Sequence, residues 1–105
     1  MAWVYLFIAG LLEVGWAIGM KYSDGFTRLW PSAITIASIA VSLFLLSLSL
    51  KAIPIGTAYA VWAGIGTVGT ALVGIAFFSE SADLARLAAI GMIAAGLVGL
   101  KLVTP

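Results

Sequence analysis

Four long apolar stretches constrain this chain more than any other feature of its sequence. They cover residues 3–20, 30–50, 56–78 and 85–103. About 20 apolar residues in a helix cross a hydrocarbon core that is about 30 Å thick, so each stretch is long enough to span a membrane. Their apolar residues are continuous and do not alternate with polar ones, which argues against the strands of a β-barrel. The sequence therefore predicts an all-α integral membrane protein with four transmembrane helices.

The composition leaves little material for anything outside the membrane. Four spans use about 80 residues of the 105 in the chain. Charged residues make up 9% of the sequence, whereas soluble domains carry about 25%. We therefore expect residues 1–105 to form a single transmembrane domain, located as a multi-pass protein in the inner (plasma) membrane and surrounded by the lipid bilayer.

Several classes of function are disfavoured by residues that the sequence lacks. It contains no cysteine and no histidine, so thiolate metal sites, haem ligation by histidine and Ser/His or Cys/His catalysis are absent. A net charge of +1 argues against nucleic acid as a partner. We expect no metal, no cofactor and no enzymatic activity.

The charges of the connections are nearly balanced between the two membrane faces. If both termini lie on one face, that face carries Lys51 and Lys101, and the other carries Lys21, Arg28 and Arg86. The imbalance of lysine and arginine sets the orientation of a membrane protein, and two against three gives almost no preference. The chain is therefore expected to insert in both orientations. A fixed orientation set by the one extra charge is the alternative.

Glu13 is the one charged residue deep inside a predicted span. At about 1.5 Å per residue it lies about 15 Å below the start of the first span, near the bilayer midplane. An ionised side chain there costs about 2.5–3.5 kcal/mol, so its presence points to function. The alternative is a permanently protonated Glu13 that only forms a hydrogen bond to a neighbouring helix.

The surroundings of Glu13 predict what it binds. Burial in hydrocarbon disfavours the charged form of a carboxylate, so a proton competes for Glu13 near neutral pH. No lysine or arginine lies deep inside a span to neutralise it. Gly10 and Ala17, three and four residues away on the same helical face, leave room beside the carboxylate. The sequence therefore predicts a site that is occupied alternately by a proton and by a cation.

Three further side chains lie at depths that suit this site. Counted back from Lys51, Ser42 in the second span lies close to the depth of Glu13, although most membrane serines bond to their own helix. Tyr59 and Trp62 lie one turn apart in the third span, about 5 and 9 Å below the same face. Trp62 is too deep for an interfacial aromatic belt.

Hydrogen-bonding chemistry limits the roles of these residues. An indole nitrogen only donates, so Trp16 and Trp62 can orient a carboxylate or offer a ring face to a cation. The hydroxyl groups of Ser42 and Tyr59 both donate and accept. Such a set suits a planar cation with several donors, because guanidinium pairs bidentately with a carboxylate. A purely apolar aromatic box would suit a quaternary ammonium ion better.

Glycines and alanines mark two packing surfaces. Gly64 and Gly66 in the third span favour a bend or a close helix approach beside the site. Gly91, Ala95 and Gly99 recur every four residues in the fourth span and form a ridge suited to helix packing. We interpret this ridge as an oligomer seam, and packing within the monomer is the alternative.

Four segments carry a family resemblance: GLLEVGWA at residues 10–17, MKY at 20–22, GFTRLWPS at 25–32 and IPIGTAYAVWAGIG at 53–66. Together they resemble the small multidrug resistance family over essentially the whole chain, and more narrowly its guanidinium-exporter branch. The resemblance implies a proton-coupled antiporter that exports guanidinium and small guanidinyl cations by alternating access. It also implies an antiparallel, dual-topology homodimer.

The resemblance also implies roles for individual residues. Glu13 of each protomer would bind either a proton or the cation. Trp16 and Ser42 match residues of the glutamate's hydrogen-bond network, and Tyr59 and Trp62 match aromatic residues that line the site. The fourth helix matches the dimer seam.

Two other functions remain open from the sequence. One is broad efflux of quaternary ammonium and other hydrophobic cations. The other is a non-transporting membrane scaffold in which Glu13 only holds helices together.

Overall fold

The computed structural model describes residues 1–104, which form four α-helices. They are α1 (Ala2–Tyr22), α2 (Leu29–Ser49), α3 (Ile55–Phe77) and α4 (Leu84–Val103). Each has 20 to 23 residues and a length of about 30–35 Å, which matches a bilayer core. All four are long and apolar enough to cross a membrane. The predicted all-α fold with four spans is confirmed, and no helix end lies more than two residues from its predicted position.

The outer surface of the bundle is apolar along every helix. Large apolar side chains stay exposed on each of them, for example Phe7, Phe44, Phe77 and Met92. Contiguous exposed apolar area of this kind marks a membrane or protein contact surface. The surface therefore suits contact with lipid or with other helices.

Small hydroxyl residues fix α2 against α1. Thr35, Ser42 and Ser49 recur every seven residues, which places them on one helical face, and all three are fully buried. Gly19 of α1 lies directly against Thr35, since a Cβ at Gly19 would overlap the threonine hydroxyl. Small residues let helix backbones approach closely in a membrane, so this stripe makes the α1–α2 contact a close one.

The apolar core lies at one end of the bundle. Its members come from the start of α1, the α2–α3 connection and the start of α3: Leu6, Ala9, Ile53, Ala58, Val61 and Trp62. Among residues 1–104, no apolar side chain is buried at the opposite end, where the α1–α2 and α3–α4 connections lie. The buried apolar side chains are therefore concentrated at the end that holds the N-terminus, which we call the packed end, whereas the fully buried Ser23 and Thr35 nearer the other end are polar.

The α1–α2 connection is a tight reversal. The hydroxyl of Ser23 donates to the carbonyl of Met20 at 2.7 Å and accepts from the amide of Phe26 at 3.1 Å. Asp24, Gly25 and Phe26 all have positive φ angles, between 51° and 71°. Three consecutive left-handed residues turn the chain sharply, so α2 returns as the antiparallel neighbour of α1.

α4 lies at the edge of the bundle. Its backbone packs only against α3, and it has no buried residue in the part of the chain that the structure describes. Gly64 of α3 receives the side chain of Leu97, because a Cβ at Gly64 would overlap it. The ammonium group of Lys101 lies 4.7 Å from the centre of the Trp3 ring, a cation–π contact that ties the end of α4 to α1.

The predicted ridge on α4 is largely uncovered within the chain. Gly91 and Ala95 are exposed, and Gly99 is half-buried. A Cβ added at Gly91 or Gly99 would meet no atom of residues 1–104 within 4 Å. Within residues 1–104, no neighbouring helix therefore packs closely against Gly91 or Gly99.

Asp83 is the N-cap residue of α4. Replacing it tests how much the capping hydrogen bond stabilises the protein. Its carboxylate accepts from the amide of Arg86 at 2.8 Å. We expect Asp83→Ala to lower the free energy of unfolding in detergent micelles by about 1 kcal/mol, because a capping acceptor is lost. Asp83→Asn keeps the cap and should change it much less. Equal losses in the two variants would show that the lost charge, and not the cap, matters.

Candidate functional site

Glu13 lies in the middle of α1 and faces α3. Its Oε1 atom is buried and makes no hydrogen bond to any of residues 1–104. Gly66 of α3 lies directly opposite, and a Cβ at that position would overlap the carboxylate. The carboxylate therefore fits between α1 and α3 only because residue 66 has no side chain.

A cavity of about 440 Å³ opens beside Glu13 and extends along α3 to the α3–α4 connection. This volume is in the range of small-molecule sites. The cavity wall holds two carboxylates and no basic side chain, so its electrostatic potential favours a cation. It is lined by Glu13, Trp16, Ala17, Gly66, Thr67, Thr70, Ala71 and Glu80.

Trp16 forms the aromatic wall of this cavity, one turn after Glu13. Its Nε1 atom is buried and has no hydrogen-bond partner among residues 1–104. A buried polar atom without a partner costs about 1–3 kcal/mol. A ligand that donates to Oε1 of Glu13 removes that cost for the carboxylate, whereas the indole nitrogen, which only donates, requires an acceptor.

Ser42, Trp62 and Tyr59 form a second, connected group nearer the packed end. The hydroxyl of Ser42 donates to the carbonyl of Ala9 at 2.8 Å, and Nε1 of Trp62 donates to the same hydroxyl at 2.9 Å. The Tyr59 ring lies 5.6 Å from that of Trp62, tilted by 59°. These contacts join α1, α2 and α3 at one depth.

Comparison with known proteins places the chain among transporters. A family model described as Small Multidrug Resistance protein matches residues 1–93. The chain belongs to the small multidrug resistance family. The predicted family is thereby confirmed, and with its four spans the chain is a multi-pass inner-membrane protein.

Three relatives of this family show how far the similarity extends. A guanidinium exporter of Yersinia pseudotuberculosis is 62% identical over 102 residues, which cover 97% of this chain and 98% of the relative. One of Salmonella typhimurium is 60% identical over 104 residues, covering 99% of both chains. One of Proteus vulgaris is 57% identical over 102 residues, covering 97% and 98%. These relatives are named for export and not for a catalysed reaction.

In the structure, Trp16 and Ser42 belong to two separate groups, although the family resemblance implies that both belong to the hydrogen-bond network of Glu13. Trp16 lies in the cavity beside Glu13, but the Ser42 hydroxyl donates to Ala9 and not to the carboxylate. The Ala9 carbonyl is also the acceptor for the Glu13 amide in an α-helix. Ser42 therefore bonds to the backbone that carries Glu13, one helical turn nearer the packed end, and Trp62 bonds to Ser42.

Two of the predicted glycines lie in the α1–α3 contact, and the third lies in the α3–α4 contact. Gly10 of α1 receives Ile65, and Gly66 receives Glu13. Gly64 faces Leu97 of α4 and does not line the cavity. Because α3 is unbroken from Ile55 to Phe77, these glycines provide close approach without ending the helix.

Sequence patterns alone did not identify four residues of the cavity: Thr67, Thr70, Ala71 and Glu80. One signal was present, since Gly66, Thr70 and Gly74 recur every four residues and so share a face of α3. No group of three or more metal-ligating side chains is present in residues 1–104.

Ser42 should contribute more to stability than a serine that bonds to its own helix. In Ser42→Ala the bond to Ala9 is lost and Nε1 of Trp62 is left buried without an acceptor. We expect the free energy of unfolding in micelles to fall by about 1–2 kcal/mol. Ser47, whose exposed hydroxyl donates to Phe44 of its own helix, is the matched control. A loss in Ser47→Ala as large as in Ser42→Ala would contradict the structural role of this network.

Proposed function

We propose that this protein is a proton-coupled antiporter that exports guanidinium and small guanidinyl cations by alternating access. Glu13 binds either the proton or the cation. The observation that carries the proposal is a buried carboxylate oxygen without a hydrogen-bond partner, in a cavity whose wall has no basic side chain. Relatives that are 57–62% identical and named guanidinium exporters support this choice of cation.

The exchange of protons for guanidinium follows from their competition for the Glu13 carboxylate. A carboxylate in apolar surroundings is stable when it is protonated or paired with a cation, and costly when it is neither. Binding of guanidinium therefore expels the proton, and protonation expels guanidinium. A shape change that exposes Glu13 to either face in both loaded states couples the two fluxes.

The cavity also supports guanidinium over the alternative cations. Guanidinium forms two parallel hydrogen bonds to a carboxylate, and the hydroxyl groups of Thr67 and Thr70 offer acceptors for its remaining N–H groups. A quaternary ammonium ion has no N–H group and uses none of these acceptors. The scaffold alternative is weakened because Oε1 of Glu13 forms no interhelical hydrogen bond within residues 1–104.

The proposed working unit is an antiparallel homodimer in which each copy contributes one Glu13. Transporters commonly use inverted repeats to open alternately to each side. Two copies of this chain inserted in opposite orientations create such a repeat, and the nearly balanced connection charges permit it. The uncovered ridge at Gly91, Ala95 and Gly99 supports α4 as the seam.

Replacing Glu13 tests the proposed exchange directly. In Glu13→Gln the shape is kept and the titratable charge is lost, so a guanidinium gradient should no longer drive proton movement. The measurement is the internal pH of proteoliposomes, and the rate should fall to that of protein-free vesicles. Asp24→Asn, which removes a charge outside the spans, should leave the exchange intact.

The same assay separates the alternatives. In the wild type, the apparent affinity for guanidinium should be weaker at about pH 6 than at about pH 8, because protons compete for the same carboxylate. Tetramethylammonium should drive little exchange, and equal exchange by both cations would favour the broad-efflux alternative. Full exchange by Glu13→Gln would refute a transport role for Glu13.

Cysteine crosslinking tests the antiparallel arrangement, because the natural chain has no cysteine. Leu87 and Val103 lie eight residues on either side of Ala95, near the two ends of α4. In an antiparallel pair, Ala95→Cys should crosslink to itself, and Leu87→Cys should crosslink to Val103→Cys in mixed samples only. Efficient self-crosslinking of Leu87→Cys and of Val103→Cys, with no mixed product, would indicate a parallel pair.

A further inference from the structure

A second carboxylate lines the Glu13 cavity at its outer end. Glu80 lies in the α3–α4 connection, outside the spans. Its side chain is exposed, yet the carboxylate rests against the backbone of α3, where a Cβ at Gly74 would overlap it. The fold therefore brings this carboxylate against α3 at the outer end of the cavity.

The backbone after α3 brings Glu80 to this position. Ser79 adopts a left-handed conformation with φ of 57°, which is uncommon for a residue other than glycine. The chain then folds back, and the amide of Glu80 donates to the carbonyl of Gly74 at 3.2 Å. The left-handed turn at Ser79 therefore places residue 80 beside the last turns of α3.

The two carboxylates lie at opposite ends of one strip on α3. Gly66, Thr70 and Gly74 recur every four residues on the same face, and the eight-residue separation corresponds to about 12 Å. Gly66 receives the carboxylate of Glu13, and Gly74 receives that of Glu80. Thr70 lines the cavity between them.

The neighbouring basic groups do not neutralise Glu80. No lysine or arginine of residues 1–104 lies within ion-pair distance of it, and the nearest candidate on the chain, Arg86, pairs with Asp83 at 3.7 Å. The ammonium group of Lys21 lies 4.8 Å from the centre of the Phe78 ring. Arg86 borders a neighbouring groove that Glu80 also lines, but its ion pair is with Asp83. An approaching cation therefore meets a carboxylate that has no ion-pair partner among residues 1–104.

We propose that Glu80 recruits the transported cation into the cavity and raises its local concentration at Glu13. A charged group at the mouth of a cleft with low-dielectric walls concentrates counter-ions in this way. This inference rests on the proposed function. It assigns to Glu80 a positioning role on the face of the α1–α2 and α3–α4 connections, while Glu13 remains the exchanging group.

Glu80→Gln tests this role by removing the charge and keeping the side-chain size. Over about 12 Å, Coulomb's law with effective dielectric constants from about 80 to about 20 gives a two- to tenfold effect. We expect KM for guanidinium in proteoliposomes to rise by that factor at low ionic strength, with an unchanged maximum rate. At about 1 M salt the difference should largely disappear, because the Debye length falls to about 3 Å.

Two further variants separate position from charge. Asp24→Asn removes a negative charge from the same membrane face, does not affect the cavity wall, and suits the positive φ at residue 24; its KM should equal that of the wild type. Gly74→Ala keeps the charge but displaces the Glu80 carboxylate, so its KM should rise. Size-exclusion profiles establish that each variant is folded.

An unchanged KM in Glu80→Gln, or a rise that persists at high salt, overturns the inference, as does an equal rise in Asp24→Asn. If Glu80→Gln does not fold, the KM of Gly74→Ala provides the test. A wild-type KM in Gly74→Ala also overturns the inference. These results are distinct from failure of the proposed function, which would appear as full exchange by Glu13→Gln.

Discussion

The central feature of this protein is the carboxylate of Glu13, which no other side chain of residues 1–104 pairs with. Oε1 of Glu13 is buried at the middle of a spanning helix and has no hydrogen-bond partner among residues 1–104. Such a group is stable in hydrocarbon only when it is protonated or paired with a cation. Gly66 leaves space for the carboxylate itself, and the cavity beside it contains no basic side chain that would settle the charge permanently. The proposed exchange of proton for cation follows from this unmet requirement.

Much of the fold could be predicted because the bilayer fixes it. A hydrocarbon core of constant thickness sets helix length, so runs of apolar residues predict the helix ends to within two residues. The depth of Glu13 follows from the same count. The contacts between helices could not be predicted in this way, because they depend on helix rotation and relative height. Ser42 shows the limit: depth counting places it near Glu13, whereas a shift of one turn, about 5.4 Å, directs its hydroxyl to Ala9.

The parts of the site that the sequence analysis missed have a different cause. Thr67 and Thr70 are ordinary residues in an apolar helix, and only the position of Gly66 opposite Glu13 shows which face of α3 lines the cavity. Glu80 was harder to identify, because its placement depends on a left-handed Ser79. A glycine at that position would have signalled the turn, but serine does not. Local backbone conformation therefore determines which loop carboxylate reaches the cavity.

The uneven packing of the bundle bears on how one chain could serve both membrane faces. The apolar core and the Ala9–Ser42–Trp62 hydrogen bonds close the end nearer the N-terminus, whereas the Glu13 cavity extends toward the other end. In a single copy, the Glu13 cavity therefore extends toward one face only as far as its lining residues show. In the proposed antiparallel pair, the closed end of one copy lies beside the open end of the other, so each face has one closely packed end and one cavity. In this proposed pair, alternating access requires the two copies to exchange their shapes.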